Sequence, residues 1–190
     1  TLGAFLSRKA LAADLIDTYQ AHVDALNAEG AHIVGCAELT VPVHALTPDQ
    51  TEGIYDLVFL MVKQTNNEAC LHQLLPHLSE ESTVCTLQNG VPEPSVAELV
   101  GAKRTVGGAC RWGATFVKPG VAELTNDLDS RPILFEIGEL DAFRQTDVAR
   151  IPASRPLSGG LRAPREGYPE MLRVLRNHEY RHVPAGPHRQ

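Results

Sequence analysis

Residues 57–62 read Leu-Val-Phe-Leu-Met-Val, an apolar run that stops on Lys63 and gives way at once to Gln-Thr-Asn-Asn-Glu. A strand with one wet face alternates apolar and polar residues. A run without alternation marks a strand covered on both faces, as in a parallel sheet with helices above and below. Parallel strands are joined by crossovers, usually helices, so this run requires helical segments on either side of it.

Those segments are legible. Leu71, Leu74, Leu75 and Leu78 recur at i, i+3, i+4 and i+7, one face of a helix that Pro76 kinks or shortens. The stretch from Asp17 to Gly30 predicts a helix with Asp17 or Thr18 as N-cap, Val23 and Leu26 inside, and Gly30 as its stop. Glu93 to Gly101 predicts a short helix. Leu2 to Leu11 is small and apolar enough for a helix lying tightly on a sheet.

Between them lie strand candidates: Ala13–Asp17, Ser82–Gly90, Arg104–Trp112 and Pro132–Leu140. His32–Leu46 alternates poorly and predicts one or two edge strands. Gly113–Leu124 predicts a hairpin turning at Lys118-Pro119-Gly120. Strands alternating with helices predict an α/β fold with a doubly wound, mostly parallel sheet. In such sheets ligands bind in the crevice outside the carboxyl ends of the strands. Asp17, Lys63 and Asn89 each stand at such an end, so these three define one candidate crevice.

Each has a chemical use there and a plainer one. Asp17 can accept bonds from ribose hydroxyls or cap the helix that follows it. Lys63 can meet a phosphate, a ribose or a carboxylate, or snorkel to the surface. Asn89, with one donor and one acceptor group, can bridge cofactor and substrate, or serve as a turn residue before Gly90.

Composition narrows the class. A formal net charge of −6 over 190 residues argues against a nucleic-acid partner. The sequence has no run of eighteen apolar residues and no signal-peptide pattern at its start. Cys36, Cys70, Cys85 and Cys110 show no paired spacing and read as reduced thiols of a cytoplasmic protein. From Ile151 the last forty residues hold seven arginines, six prolines and no lysine. They read as an irregular tail with two origins open: a disordered segment or a shifted reading frame. Within it His178, Glu179 and His182 match H-E-x-x-H, with His188 beyond. An arginine- and histidine-rich stretch limited by Pro184 and Pro187 is a poor scaffold for such a site, so no metal is expected there.

Three segments taken in order, "DLVFLMVKQTNNEA", "TLQNGV" and "GGACRWGATFVKPGVAEL", resemble the ketopantoate reductase (2-dehydropantoate 2-reductase) family over roughly Thr1 to Asp141. The resemblance implies a Rossmann-like cofactor-binding domain at 1–141, lacking its first strand and glycine-rich turn. A tail at 142–190 would stand where the family has a helical domain. It implies reduction of a 2-oxo acid with NADPH or NADH, in pantothenate biosynthesis. Lys63 and Asn89 match residues beside nicotinamide and substrate, with Asn89 also on the substrate. Ala114 matches a backbone contact to the cofactor. Asp17 stands where NADPH-preferring members often carry a basic residue, which leans toward NADH. The family's catalytic lysine has no counterpart, since no lysine follows Lys118; activity of this chain is expected to be impaired. An NADH-dependent D-2-hydroxyacid dehydrogenase and a non-catalytic nucleotide-binding remnant are the alternatives. The expected partner is a small-molecule 2-oxo acid, with no nucleic acid or membrane; a homodimer is left open.

Overall fold

In the computed structural model, which describes residues 1–8, 12–110, 112–126 and 135–140, helix α1 (Leu2–Arg8) leads into the short strand β1 (Asp14–Ile16). Helix α2 (Gln20–Glu29), strands β2 (Ala31–Gly35), β3 (Leu39–Val41) and β4 (His44–Leu46), then β5 (Leu57–Leu60) follow. The second half holds α3 (Asn67–Leu74), β6 (Thr83–Thr86), α4 (Glu93–Val100), β7 (Thr105–Cys110), the hairpin β8 (Ala114–Lys118) and β9 (Val121–Leu124), and β10 (Phe135–Glu139). The expected residues Lys9–Leu11 of the first helix, the start of the last strand, and the tail with its H-E-x-x-H match lie outside the described residues. No described helix is long and apolar enough to cross a membrane.

The pairing is mixed and mostly parallel, as the alternation of elements predicts. One sheet runs β10-β7-β6-β5, with β5, β6 and β7 parallel and β10 antiparallel on β7. A second runs β3-β2-β9-β8, with β2 and β9 parallel. Strands β1 and β4 pair in parallel by themselves. Val84 and Cys85, neighbours on β6, show why the first sheet is doubly wound. Val84 packs under α3 and α4 with Leu60, Leu71, Leu74, Val96 and Val100. Cys85 faces the other way, into a cluster with Leu2 of α1, Leu87, Val106 and Ile137. Period-two alternation thus feeds two separate helix-covered cores.

Helix α1 ties the sheets together. Leu2 belongs to the core of the β5–β7 sheet, while Ala4 is fully buried with Val23, Leu26, Ile33 and Ala45 of the other half. Between them Gly3 lies directly on β1: a Cβ there would stand 2.7 Å from Leu15 Cγ. The small residues of this segment allow the close approach.

Several expectations need correction. His32–Leu46 falls within three strands rather than one or two, and β2 is interior, between β3 and β9. Pro42 explains the extra break: it has no N–H for a ladder, and past it the chain leaves β3 and pairs with β1 as β4. The helix after Asp17 is capped by Tyr19, not by Asp17 or Thr18. It stops as expected at Gly30, whose φ of 81° is a conformation that side chains resist. The apolar run is not buried on both faces throughout. Leu60 is 2% exposed, but Leu57, Val58 and Phe59 are half-buried, because β5 stands at the end of its sheet among the described residues. Pro76 shortens its helix as predicted, α3 passing into a single tighter turn at Leu75–His77.

A buried thiol, Cys85, and a half-buried one, Cys110, make stability depend on alkaline pH. Burial pushes the Cys85 thiol up to about 12 and the Cys110 thiol up to about 11, from 9.0. Burial first, then the hydrogen bond and charge of Asp14, raise the Tyr55 hydroxyl as well. All three folded-state values lie above the unfolded ones, so the folded chain keeps protons that the unfolded chain releases. The contribution of the two thiols is complete below pH 9 and is lost as pH rises through 11 to 12, and that of Tyr55 persists to higher pH. The urea midpoint is expected to hold between pH 7 and 8.5 and to fall steadily from 9.5 to 11.5; a flat profile across that upper range would show these groups to be solvated.

Candidate functional site

Strands β5 and β6 end side by side, and the chain beyond each turns away carrying amide side chains. Past β5 come Lys63 and the single turn Gln64–Asn66, with Asn67 opening α3. Past β6 come Gln88, Asn89 and Gly90, the last at φ 94°. Hydrogen bonds stitch the two segments. The Gln64 Nε2 donates to the Asn89 carbonyl, and the Gln88 Nε2 donates to the Val62 carbonyl. Gln88 and Asn67 form a reciprocal amide pair, Gln88 Nε2 to Asn67 Oδ1 at 2.6 Å and Asn67 Nδ2 to Gln88 Oε1 at 3.2 Å. The Thr86 hydroxyl, fully buried, also donates to Gln88 Oε1 at 3.1 Å.

The consequence is that the two backbone segments carrying Lys63 and Asn89 are tied to one another. Lys63 and Asn89, both exposed, stand on adjacent parallel strand ends whose backbones are bonded through Gln64 and Gln88. Neither expected residue sits on the last strand residue itself; each is three residues past it. The sequence reading missed Gln64, Asn67, Thr86 and Gln88. Their signal was the density of amide side chains in "KQTNN" and "LQNG", which marks a hydrogen-bonded loop pair once both segments are placed at strand ends.

Asp17 and Ala114 are carried by other strands. Asp17 follows β1, the strand of the small parallel pair, and is exposed. Its Oδ1 accepts from the Tyr19 amide at 2.9 Å, which steadies the entry to α2. Tyr19 and His22 lean on the exposed Phe116 ring of β8, at centroid distances of 6.4 and 5.4 Å. Ala114 opens β8 opposite Leu124, in the second sheet. Among the described residues no hydrogen bond or ion pair joins Asp17 or Ala114 to Lys63 or Asn89. Among them, too, no group of three or more His, Cys, Asp and Glu side chains is placed to hold a metal ion.

This geometry offers an exposed ammonium and an exposed carboxamide on two backbone segments bonded to each other, with a carboxylate at the end of a separate strand. Ammonium and carboxamide donors suit phosphate, carboxylate or carbonyl oxygens, and carboxylate acceptors suit hydroxyls.

Comparison with known proteins agrees with the fold. The family model described as ketopantoate reductase PanE/ApbA matches residues 1–134. A 2-dehydropantoate 2-reductase of Pyrococcus abyssi is 34% identical over 105 residues, 55% of this chain and 34% of the relative. The chain matches about a third of the length of such curated relatives. The 2-dehydropantoate 2-reductase of Geobacter metallireducens GS-15 superposes with a TM-score of 0.65 at 25% identity, over 78% of this chain and 48% of that one. A D-mandelate dehydrogenase, solved with NADH and anilino(oxo)acetate, superposes with a TM-score of 0.62 at 20% identity, over 71% and 42%; at that identity the likeness concerns the fold alone.

Proposed function

The chain belongs to the ketopantoate reductase PanE/ApbA family, and on that premise we propose that it is the cofactor-binding part of a nicotinamide-dependent 2-oxo acid reductase, with ketopantoate as the first substrate to test. The observation that carries the reading is the stitched pair of strand ends that sets Lys63 beside Asn89. A dinucleotide has anionic phosphates, ribose hydroxyls and a carboxamide, and the residue types at these strand ends match them. The bound nicotinamide supplies the hydride.

What the chain's own residues do follows from their chemistry. Lys63 places a positive charge against a phosphate or the substrate carboxylate. Asn89 orients, giving a hydrogen bond to one group and accepting from another. Asp17 accepts from ribose hydroxyls with Oδ2, while Oδ1 stays with the Tyr19 amide. Ala114 enters through its match to the family's backbone contact. The cofactor reading covers residues 1–141. The sequence has no Gly-x-Gly-x-x-Gly turn, so the amides that cradle a pyrophosphate at a helix start are not supplied by it.

A second reading, an NADH-dependent D-2-hydroxyacid dehydrogenase, is favoured by Asp17. A carboxylate there accepts from a ribose 2′-hydroxyl and repels a 2′-phosphate. Fluorescence titration of the 190-residue chain is expected to show tighter binding of NADH than of NADPH. Asp17→Asn is expected to narrow the ratio by about tenfold, the loss of about 1.4 kcal/mol of charge repulsion. Tenfold preference for NADPH in the unsubstituted chain would contradict the role given to Asp17. Absence of binding by either nucleotide at millimolar concentration would contradict the cofactor reading as a whole.

A further inference from the structure

The sequence holds one asparagine followed by a glycine, Asn89-Gly90. The pair lies past β6, in the loop bonded to the end of β5, and both residues are exposed. Such a pair is open to attack from within. The backbone nitrogen of the second residue can reach the side-chain carbonyl carbon of the first, and a glycine puts no side chain in the way. Gly90 is held to that identity by the fold. Its φ is 94°, and a Cβ there would stand 2.8 Å from Gln64 Nε2.

The loop favours the attack. Among the described residues no group accepts a hydrogen bond from the Gly90 amide, so no internal bond has to break before its proton leaves. None holds the Asn89 side-chain amide either, so its Cγ is free to turn toward that nitrogen. The Gln64 Nε2 donates to the Asn89 main-chain carbonyl, which belongs to the same peptide group as the Gly90 nitrogen. When that nitrogen loses its proton, peptide resonance carries the charge onto the carbonyl oxygen. There the Gln64 donor meets it, and hydrogen bonds to charged groups are the stronger kind. The bond that ties the two segments therefore also acidifies the attacking amide.

We propose that Asn89 is a self-modification site, which its loop converts through a cyclic imide to a carboxylate. The Gly90 nitrogen gives its proton to base and forms a bond to Asn89 Cγ. The bond from Cγ to Nδ2 breaks, and the leaving nitrogen takes up a proton and departs as ammonia. Water then opens the imide at either carbonyl carbon. One opening gives an aspartyl residue at position 89. The other gives an isoaspartyl link, in which the main chain runs through the former side chain. Nothing is oxidised or reduced. Either product replaces a donor amide with a negative charge on the segment tied to that of Lys63, and the isoaspartyl form also lengthens the chain at the Gln64 bond. What this does to nucleotide binding rests on the cofactor reading; the conversion itself does not.

The test follows the 190-residue chain in mildly alkaline buffer, digested at intervals for mass spectrometry, with a protein isoaspartate methyltransferase to tag the isoaspartyl product. Asn89 is expected to convert before Asn27, Asn66, Asn67 and Asn126. It should convert at least as fast in the native chain as in the chain unfolded in urea, where the Gln64 bond is gone. Gln64→Leu removes the donor and should slow conversion by about tenfold, the worth of one hydrogen bond to a charged group. Gln64→Lys keeps a donor and should retain most of the rate. Slower conversion in the native chain than in urea, equal rates in the native chain and Gln64→Leu, or a Gln64→Lys chain as slow as Gln64→Leu would overturn the proposal. If Gln64→Leu does not fold, the comparison of native with urea-unfolded chain decides by itself. Nucleotide binding is titrated separately, so loss of the cofactor reading leaves this result standing, and the reverse.

Discussion

The purified 190-residue chain is expected to reduce ketopantoate at least about 10²-fold more slowly than the Pyrococcus abyssi 2-dehydropantoate 2-reductase it resembles. Hydride addition to a 2-oxo acid leaves an alkoxide that needs a positioned acid, and general acid catalysis contributes about 10²–10⁴-fold. The family resemblance assigns that step to a lysine in a helical domain, and no lysine follows Lys118 here. Lys63 would have to hold the cofactor side of the crevice and deliver the proton as well. Loss of substrate positioning adds to the deficit. Measured kcat and KM for ketopantoate, with NADH and with NADPH, decide the matter. Turnover within tenfold of the relative would mean that Lys63, or a residue of the tail, supplies the acid.

The architecture was readable because burial imposes a period. Val84 and Cys85 must face opposite cores, and the strand that contains them carries no charged residue to spoil either face. Leu71 and Leu74 mark α3 for the same reason, and Pro76 ends it by removing an N–H. Strand partners were less legible. Nothing within residues 31–46 says that β2 will pair with β9, some ninety residues later, while β4 leaves for β1. Such choices belong to tertiary packing, which local pattern does not encode. The half-buried state of β5 was misread because an apolar run reports what a strand is suited to, not which neighbours stand beside it.

The site divides in the same way. Lys63 and Asn89 were visible as polar residues where apolar strands stop. The groups that tie their two segments together were not, because an amide side chain at a loop looks alike whether it points to water or to another chain segment. Asp17 shows the opposite case. Both of its readings, ribose acceptor and support for the helix start, were open from sequence, and its Oδ1 serves the second through the Tyr19 amide.

Gln88→Leu should destabilise the chain and disable the crevice together. The substitution keeps the approximate volume and removes every polar atom of the side chain. Thr86 is fully buried and Asn67 is 6% exposed, so neither can turn to water for a replacement bond. The Thr86 hydroxyl, both polar atoms of the Asn67 amide and the Val62 carbonyl all lose a partner at once. A stranded buried polar group costs about 1–3 kcal/mol. Partial relaxation shared among these groups puts the total at about 3–5 kcal/mol, the range of a broken buried network. Gln73→Leu, on the exposed side of α3, is the control and should cost less than about 0.5 kcal/mol. Urea unfolding measures both. Gln88→Glu separates the two functions of the amide. It keeps acceptors for Thr86 and for the Asn67 donor, but turns the Val62 carbonyl and Asn67 Oδ1 toward a carboxylate. It should therefore be nearly as damaging as Gln88→Leu near neutral pH and should recover in part in acid, as a protonated carboxyl regains one donor. If Gln88→Leu unfolds at the same urea concentration as the unsubstituted chain, these hydrogen bonds do not hold Lys63 beside Asn89, and the crevice must owe its shape to the packing of Leu71 and Leu74 beneath it.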